Sequence, residues 1–349
     1  MIRLRAWTGL LALALAALPA WGEPRVTVVA GGLDTPWALA FAGDGRLLVT
    51  ERPGRLRLVR DGRLQPEPLA TLPVVERGES GLMGLALDPG FVDNSRLYVC
   101  YTGEKAGRIV NRIVALTLRD GGAREERVLV DDLPAASVHD GCRLKFGPDG
   151  KLYATTGDAG EGRLAQRRDS LAGKILRLET DGATPADNPF PGSPIWSLGH
   201  RNPQGLAWDE RGRLFAAEHG PSGLPCCHDE VNHILAGRNY GWPEVYGRAG
   251  DTRFVDPIVE SGLGTWAPAG MAYLDGRLYV AGLRGRALYQ VRLTEDARAA
   301  GTERLLSGTY GRLRDVVVGP DGALYVTTSN RDGRGSPARD DDRILRVVP

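Results

Sequence analysis

GPDGKLYATTG, from Gly147 to Gly157, joins an Asp-Gly turn, a basic residue and a short run of β-type residues closed by glycine. The same phrase returns as GDGRLLVT ending at Thr50, NSRLYVCYT at Thr102, ERGRLFAAEHG at Gly220, LDGRLYVAG at Gly282 and GPDGALYVTTS at Ser329. The residues before the central leucines, Arg46, Arg96, Lys151, Arg213, Arg277 and Ala323, lie roughly 46 to 64 residues apart, a period of propeller blades rather than helical arrays. Each phrase follows a second apolar run: PWALAF, LMGLAL, CRLKF, PQGLAW, PAGMAY and LRDVVV. Each pair reads as a hairpin, and every repeat has room for two more strands. The expected fold is all-β, a six-bladed β-propeller of four-stranded antiparallel blades. In a hairpin the start of the first strand and the end of the second lie on one side, so those residues collect at one mouth of the axial channel.

The first 22 residues stand apart. Arg3 and Arg5 precede an apolar stretch from Leu10 to Leu18, and small residues lead up to Glu23. This pattern is that of a secretory signal, too short to span a bilayer. Residues 23–349 are then expected to form a single propeller domain, periplasmic or secreted, with no membrane span after signal removal. With 44 basic and 43 acidic residues among 349, the chain has no electrostatic footprint for nucleic acid. Cys100, Cys142, Cys226 and Cys227 in an oxidising compartment favour disulfides. A bridge from Cys142 to Cys226 or Cys227 would close about 85 residues, worth roughly 4 kcal/mol, whereas one between the adjacent pair stabilises little. The expected bridge therefore joins Cys142 to one of the pair, leaving Cys100 a small buried apolar residue.

At the hairpin entrances stand Trp37, Glu79, His139, Arg201, Asn202, Gln204, Trp266, Arg312 and Arg314; the exits add Arg52, Asp158, His219 to Pro221, Arg284 and Arg331. So many cations in a small concave space require an anion, which points to a multiply anionic ligand. His139 has the chemistry of a positioned base, although a lone histidine in a turn is equally a surface residue. The irregular segment Glu218 to Asn232 offers carbonyl oxygens beside Asp229 and Glu230, a set suited to calcium; its cysteine and histidine spacing fits no zinc pattern.

The motifs VHDGCRLKFGPDGKLYATTGD, SLGHRNPQGLAW, EHGPSG with DEVN, RNYGWP and GRLRDV occur in this order. The chain from about Leu33 onward resembles the soluble quinoprotein aldose sugar dehydrogenases, the glucose/sorbosone dehydrogenase family that binds pyrroloquinoline quinone (PQQ). The resemblance implies oxidation of the C1 hydroxyl of an aldose to a lactone, with electrons passed to a periplasmic acceptor. It implies His139 as base and Arg201 as the group polarising the quinone, with Asn202 and Gln204 nearby. Arg284, Arg312 and Arg314 match the residues holding the PQQ carboxylates, and Glu79, His139 and Trp266 would face the sugar. Gly220 and Pro221 match backbone ligands of a cofactor-linked calcium, and Glu230 and Tyr240 those of a second, structural calcium. Val138 replaces an aspartate and Arg284 a lysine of one branch, which weakens the case for glucose as the preferred sugar. The expected assembly is a monomer or homodimer. A calcium-dependent lactonase and a non-catalytic binding propeller remain the alternatives, because function resides in the site and not in the scaffold.

Overall fold

In the computed structural model, which describes residues 24–119, 122–223 and 226–349, six antiparallel sheets stand around a central axis. The expected signal segment lies outside these residues. The six innermost strands are Pro36–Phe41, Leu82–Leu87, Gly141–Phe146, Pro203–Trp208, Pro268–Leu274 and Leu313–Val318, the apolar run of each repeat. Each touches the next, and the last returns to the first, so the ring closes. The recurring phrase supplies the second strand of each blade. Segments such as Leu47–Glu51 and Leu152–Thr156 are buried throughout because neighbouring sheets cover both faces. Among the described residues, helix is confined to single turns at Phe91–Asn94 and Gly162–Gln166.

Blade six is made from both ends of the chain. Its order is Arg25–Ala30, Ile344–Val348, Leu324–Thr328 and Leu313–Val318, and Arg25 pairs with Val348. In blade one the fourth strand is split into Arg63–Leu64 and Ala70–Thr71, both paired with Arg55–Arg60.

All six inner strands break register near their first residues: between Pro36 and Ala38, Leu82 and Leu85, Gly141 and Leu144, Pro203 and Gly205, Pro268 and Met271, and Leu313 and Asp315. Such bulges re-aim side chains. Here Trp37, Arg143, Gln204 and Arg314 meet within them. The Arg143 guanidinium lies 4.3 Å from the Trp37 ring centroid, and Arg314 Nη1 donates to Gln204 Oε1 at 3.0 Å. Threonines of the recurring phrase secure three of the breaks, Thr50, Thr155 and Thr327 accepting the amides of Ala38, Arg143 and Asp315 at 3.1, 2.9 and 3.0 Å.

In blade two that position of the phrase is Cys100, and its sulfur is bonded to Cys142 at the start of blade three. This corrects the expected pairing. Cys142 does not reach blade four; Cys226 and Cys227 are bonded to each other. The reason is the ring geometry, which sets the end of one blade's second strand beside the start of the next blade's first. The two α-carbons there are 5.6 Å apart, within the usual range for a disulfide.

Candidate active site

At the mouth where the inner strands begin lies a cavity of about 330 Å³, lined by Glu79, Val138, His139, Arg201, His219 to Gly223, Cys226, Cys227, Asp229, Thr265, Ala267, Leu283, Arg284, Arg312 and Arg334. His139 has a left-handed backbone, φ +59°, and its carbonyl lies so close to Gly157 that a Cβ there would overlap it. The closing glycine of the GPDGKLYATTG phrase is thus required for the histidine's position. The His139 amide donates to Glu79 Oε2 at 3.0 Å, and its Nδ1 lies 2.7 Å from Asp158 Oδ1.

Asp158 is nearly buried and also accepts from the Gly160 amide and from the Trp242 indole, each at 2.8 Å. Burial alone would raise its carboxyl, but His139 and these donors hold it below the ordinary value. An ionised carboxylate only accepts, so it keeps the proton on Nδ1 and leaves the Nε2 lone pair free to act as a base. Glu79 is likewise pushed up by burial, yet positive charge on the neighbouring His219, the Arg334 guanidinium at 2.8 Å and the His139 amide hold it down at about 2.

Arg201 is fixed by its amide to Glu218 Oε2 at 2.9 Å, by Nη2 to Ser222 Oγ at 3.1 Å, and by stacking 5.3 Å from the Trp242 ring. Trp242 therefore braces both the aspartate behind His139 and the arginine beside it. The Arg201 Nε, the Asn202 Nδ2 and the His219 Nε2 are buried without a hydrogen-bond partner. Burial lowers the His219 imidazole to about 4, so it is neutral at pH 7.

Arg312 sits in the cavity wall with Nε and Nη2 on Asp332 Oδ2 at 2.9 and 2.8 Å, and Arg314 approaches the same carboxylate at 3.7 Å. These two cations therefore have a counter-ion that sequence reasoning missed. Arg314 and Gln204 lie deeper on the axis, bonded to each other, and Asn202 is buried behind the wall, its Oδ1 accepting from the Gly141 amide at 3.0 Å. Arg284 is exposed at the rim, and no described carboxylate pairs with it. Trp266 is absent from this cavity and lines the groove next to it.

The expected metal set divides in two. Gly220 and Pro221 line the cavity; Glu230 and Tyr240 are buried in a separate cluster with Glu218 and Asn232. There Asn232 Nδ2 donates to Glu218 Oε1 and Glu230 Oε2 at 3.0 Å each, while its Oδ1 has no partner. Burial and Glu218 push the Glu230 carboxyl up to about 8. Among the described residues, no three His, Cys, Asp or Glu side chains are grouped as metal ligands. His200 of the HRN motif is structural, fully buried between Ser197 at 2.8 Å and Glu218 at 2.9 Å. Asp158 ends the TTGD segment at the exit of the hairpin whose entrance is His139, so the hairpin reading already set both at one mouth, and the structure adds their contact.

The Glucose / Sorbosone dehydrogenase family model matches residues 33–345. The aldose sugar dehydrogenase of Escherichia coli K12 is 32% identical, the match covering 94% of this chain and 95% of that protein. Quinoprotein glucose dehydrogenase B of Acinetobacter calcoaceticus is 33% identical over 65% of this chain and 54% of its own length. Among solved structures, the PQQ-bound form of an aldose sugar dehydrogenase from Streptomyces coelicolor superposes with a TM-score of 0.86 at 41% identity, covering 93% of this chain and 98% of that one.

Proposed function

The chain belongs to the glucose/sorbosone dehydrogenase family, and on that footing we propose that it is an exported, PQQ- and calcium-dependent dehydrogenase oxidising the C1 hydroxyl of aldoses to lactones. The observation that carries this reading is the pairing of a base and an unsatisfied cation across one cavity. His139 has its Nδ1 committed to Asp158, and Arg201 has a buried, partnerless Nε. Bound PQQ supplies a two-electron acceptor for the C1 hydride. His139 Nε2 accepts the hydroxyl proton, and loss of that proton with the hydride leaves C1 as the lactone carbonyl. Arg201, supported on Trp242, would present fixed positive charge to the quinone that the cavity would hold, with little reorganisation. Arg284 at the rim, unpaired among the described residues, and Arg312, sharing its charge with Asp332, would hold the carboxylates of such a cofactor, with Arg314, Asn202 and Gln204 behind the wall.

Calcium is part of the proposal. Gly220 and Pro221 line the cavity, and two crowded carboxylates with an orphaned amide oxygen at Glu218, Glu230 and Asn232 suit a divalent cation. A periplasmic destination is supported by the leader composition and by two disulfides. Among the described residues, no helix is long and apolar enough to cross a membrane. The lactonase alternative needs free carboxylates converging on a metal. In the cavity Glu79 is held by Arg334 and the His139 amide, while Asp229 accepts from Gly220, Thr265, Trp266 and Ala267.

Purified apoprotein given PQQ and calcium is expected to develop red-shifted quinone absorbance and to reduce a redox dye with aldoses. His139→Ala should keep the absorbance change and lose turnover by about 10²–10⁴-fold. Asp158→Asn, which offers Nδ1 a donor and favours the wrong tautomer, should retain PQQ and fall by a similar factor. Absence of both the spectral change and dye reduction would overturn the proposal in favour of a hydrolase or binding propeller.

A further inference from the structure

Beside the cavity, sharing Thr265 and Arg284 with it, runs a groove of about 540 Å³, within the range of small-ligand sites. Its floor is aromatic: Trp266 stacks on Tyr289 with centroids 4.7 Å apart and planes at 30°. The turn carrying Arg284, Gly285 and Arg286 folds against this pair. Gly285 is needed there, because a Cβ would overlap the Tyr289 hydroxyl. Arg304 reaches over from the outer strand, its guanidinium 5.8 Å from the Tyr289 ring centroid and its Nη2 donating to the Gly285 carbonyl at 3.1 Å.

Arg284, Arg286 and Arg304 thus line one groove, and among the described residues none forms an ion pair with a carboxylate. Among the described residues, no acidic side chain lines the groove. This contrasts with the cavity itself, where Arg312 and Arg334 are both neutralised. An aromatic plate favours the C–H face of a sugar ring, and fork-shaped guanidinium groups favour carboxylate or phosphate.

We propose that this groove is a subsite for an anionic saccharide: an aldose whose reducing end enters the His139 cavity while the next ring, bearing a carboxylate or phosphate, lies on Trp266 between Arg286 and Arg304. The assignment rests on the dehydrogenase reading of the neighbouring cavity and adds the substrate class. Charge attraction brings such a substrate in along a path that a neutral disaccharide does not share.

The test compares cellobiouronic acid, cellobiose 6′-phosphate and neutral cellobiose, by calorimetry on the cofactor-free full chain and by kcat/KM after reconstitution. At least one acidic ligand should bind about tenfold or more tightly than cellobiose, since one charge-assisted contact is worth roughly that factor. The two acidic arms tell carboxylate from phosphate. The advantage should shrink with added salt and vanish in Arg286→Ser/Arg304→Ser, with an unchanged circular-dichroism spectrum and melting temperature as the control for folding. Arg286→Lys should keep part of it. Equal affinities for all three, or a preference that survives the double variant, would overturn the subsite. An unchanged saccharide profile with weaker use of ferricyanide would overturn it too, reassigning the groove to an anionic electron acceptor. Acidic preference in calorimetry without turnover would support the subsite and sink the dehydrogenase reading. Turnover of cellobiose without acidic preference would do the reverse.

Discussion

His139 illustrates how little a residue type says until its neighbours are fixed. Its imidazole acquires a direction only because Asp158 sits 2.7 Å from Nδ1 and Gly157 lets the two turns close on each other. Glu79 is the opposite case, a carboxylate whose task is to hold the His139 backbone and the Arg334 guanidinium. With its folded pKa depressed to about 2, Glu79 binds a proton less readily in the native state than in the unfolded chain. Its contribution is complete above pH ~4.5 and is lost as pH falls through the folded value, at most about 3 kcal/mol. Urea titrations between pH 6 and 2.5 should therefore show a shallower acid loss of stability for Glu79→Gln than for the parent chain. Parallel acid limbs would remove this residue from the account. The place of His139 and Arg201 at the mouth was legible from the sequence; the counter-ion Asp332, the brace Trp242 and the groove position of Trp266 were not, since each depends on how the loops pack there.

Among the elements, the hairpin unit carries most of what the sequence makes plain. The turn and the leucine of each phrase fix a second strand, and in three of the six a threonine hydroxyl holds the bulge of the inner strand beside it. Those bulges bring Trp37, Arg143, Gln204 and Arg314 together on the axis, a contact that alternation alone does not predict. The substitution of cysteine for threonine at position 100 converts this local device into a covalent tie between blades two and three. A separation of 42 residues corresponds to about 4 kcal/mol of chain entropy in the unfolded state. Cys100→Ala/Cys142→Ala is expected to cost roughly 2–4 kcal/mol in denaturant unfolding and to leave the PQQ-induced absorbance change intact. A variant as stable as the parent would show that the bridge constrains nothing the fold does not already constrain.

For the whole molecule, the ring is closed by Arg25–Ala30 lying on Ile344–Val348, and no other strand of the described chain covers that edge. Deleting residues 1–30 should leave a bare strand edge on blade six, with early thermal unfolding and concentration-dependent aggregation read by light scattering. Monodisperse, equally stable protein after the deletion would mean that closure rests on the inner ring alone. The blade count, the all-β architecture and the mouth at which the candidate site residues gather follow from the sequence, because a repeated hairpin phrase encodes its own strand pairing over short distances. The disulfide partner of Cys142, the union of both chain ends in one blade, the neutralisation of Arg312 by Asp332 and the basic groove beside the cavity were decided by tertiary structure. The first two depend on segments far apart in the chain, which only closing the ring makes neighbours, whereas the counter-ion and the groove depend on how the loops of one blade fold on each other.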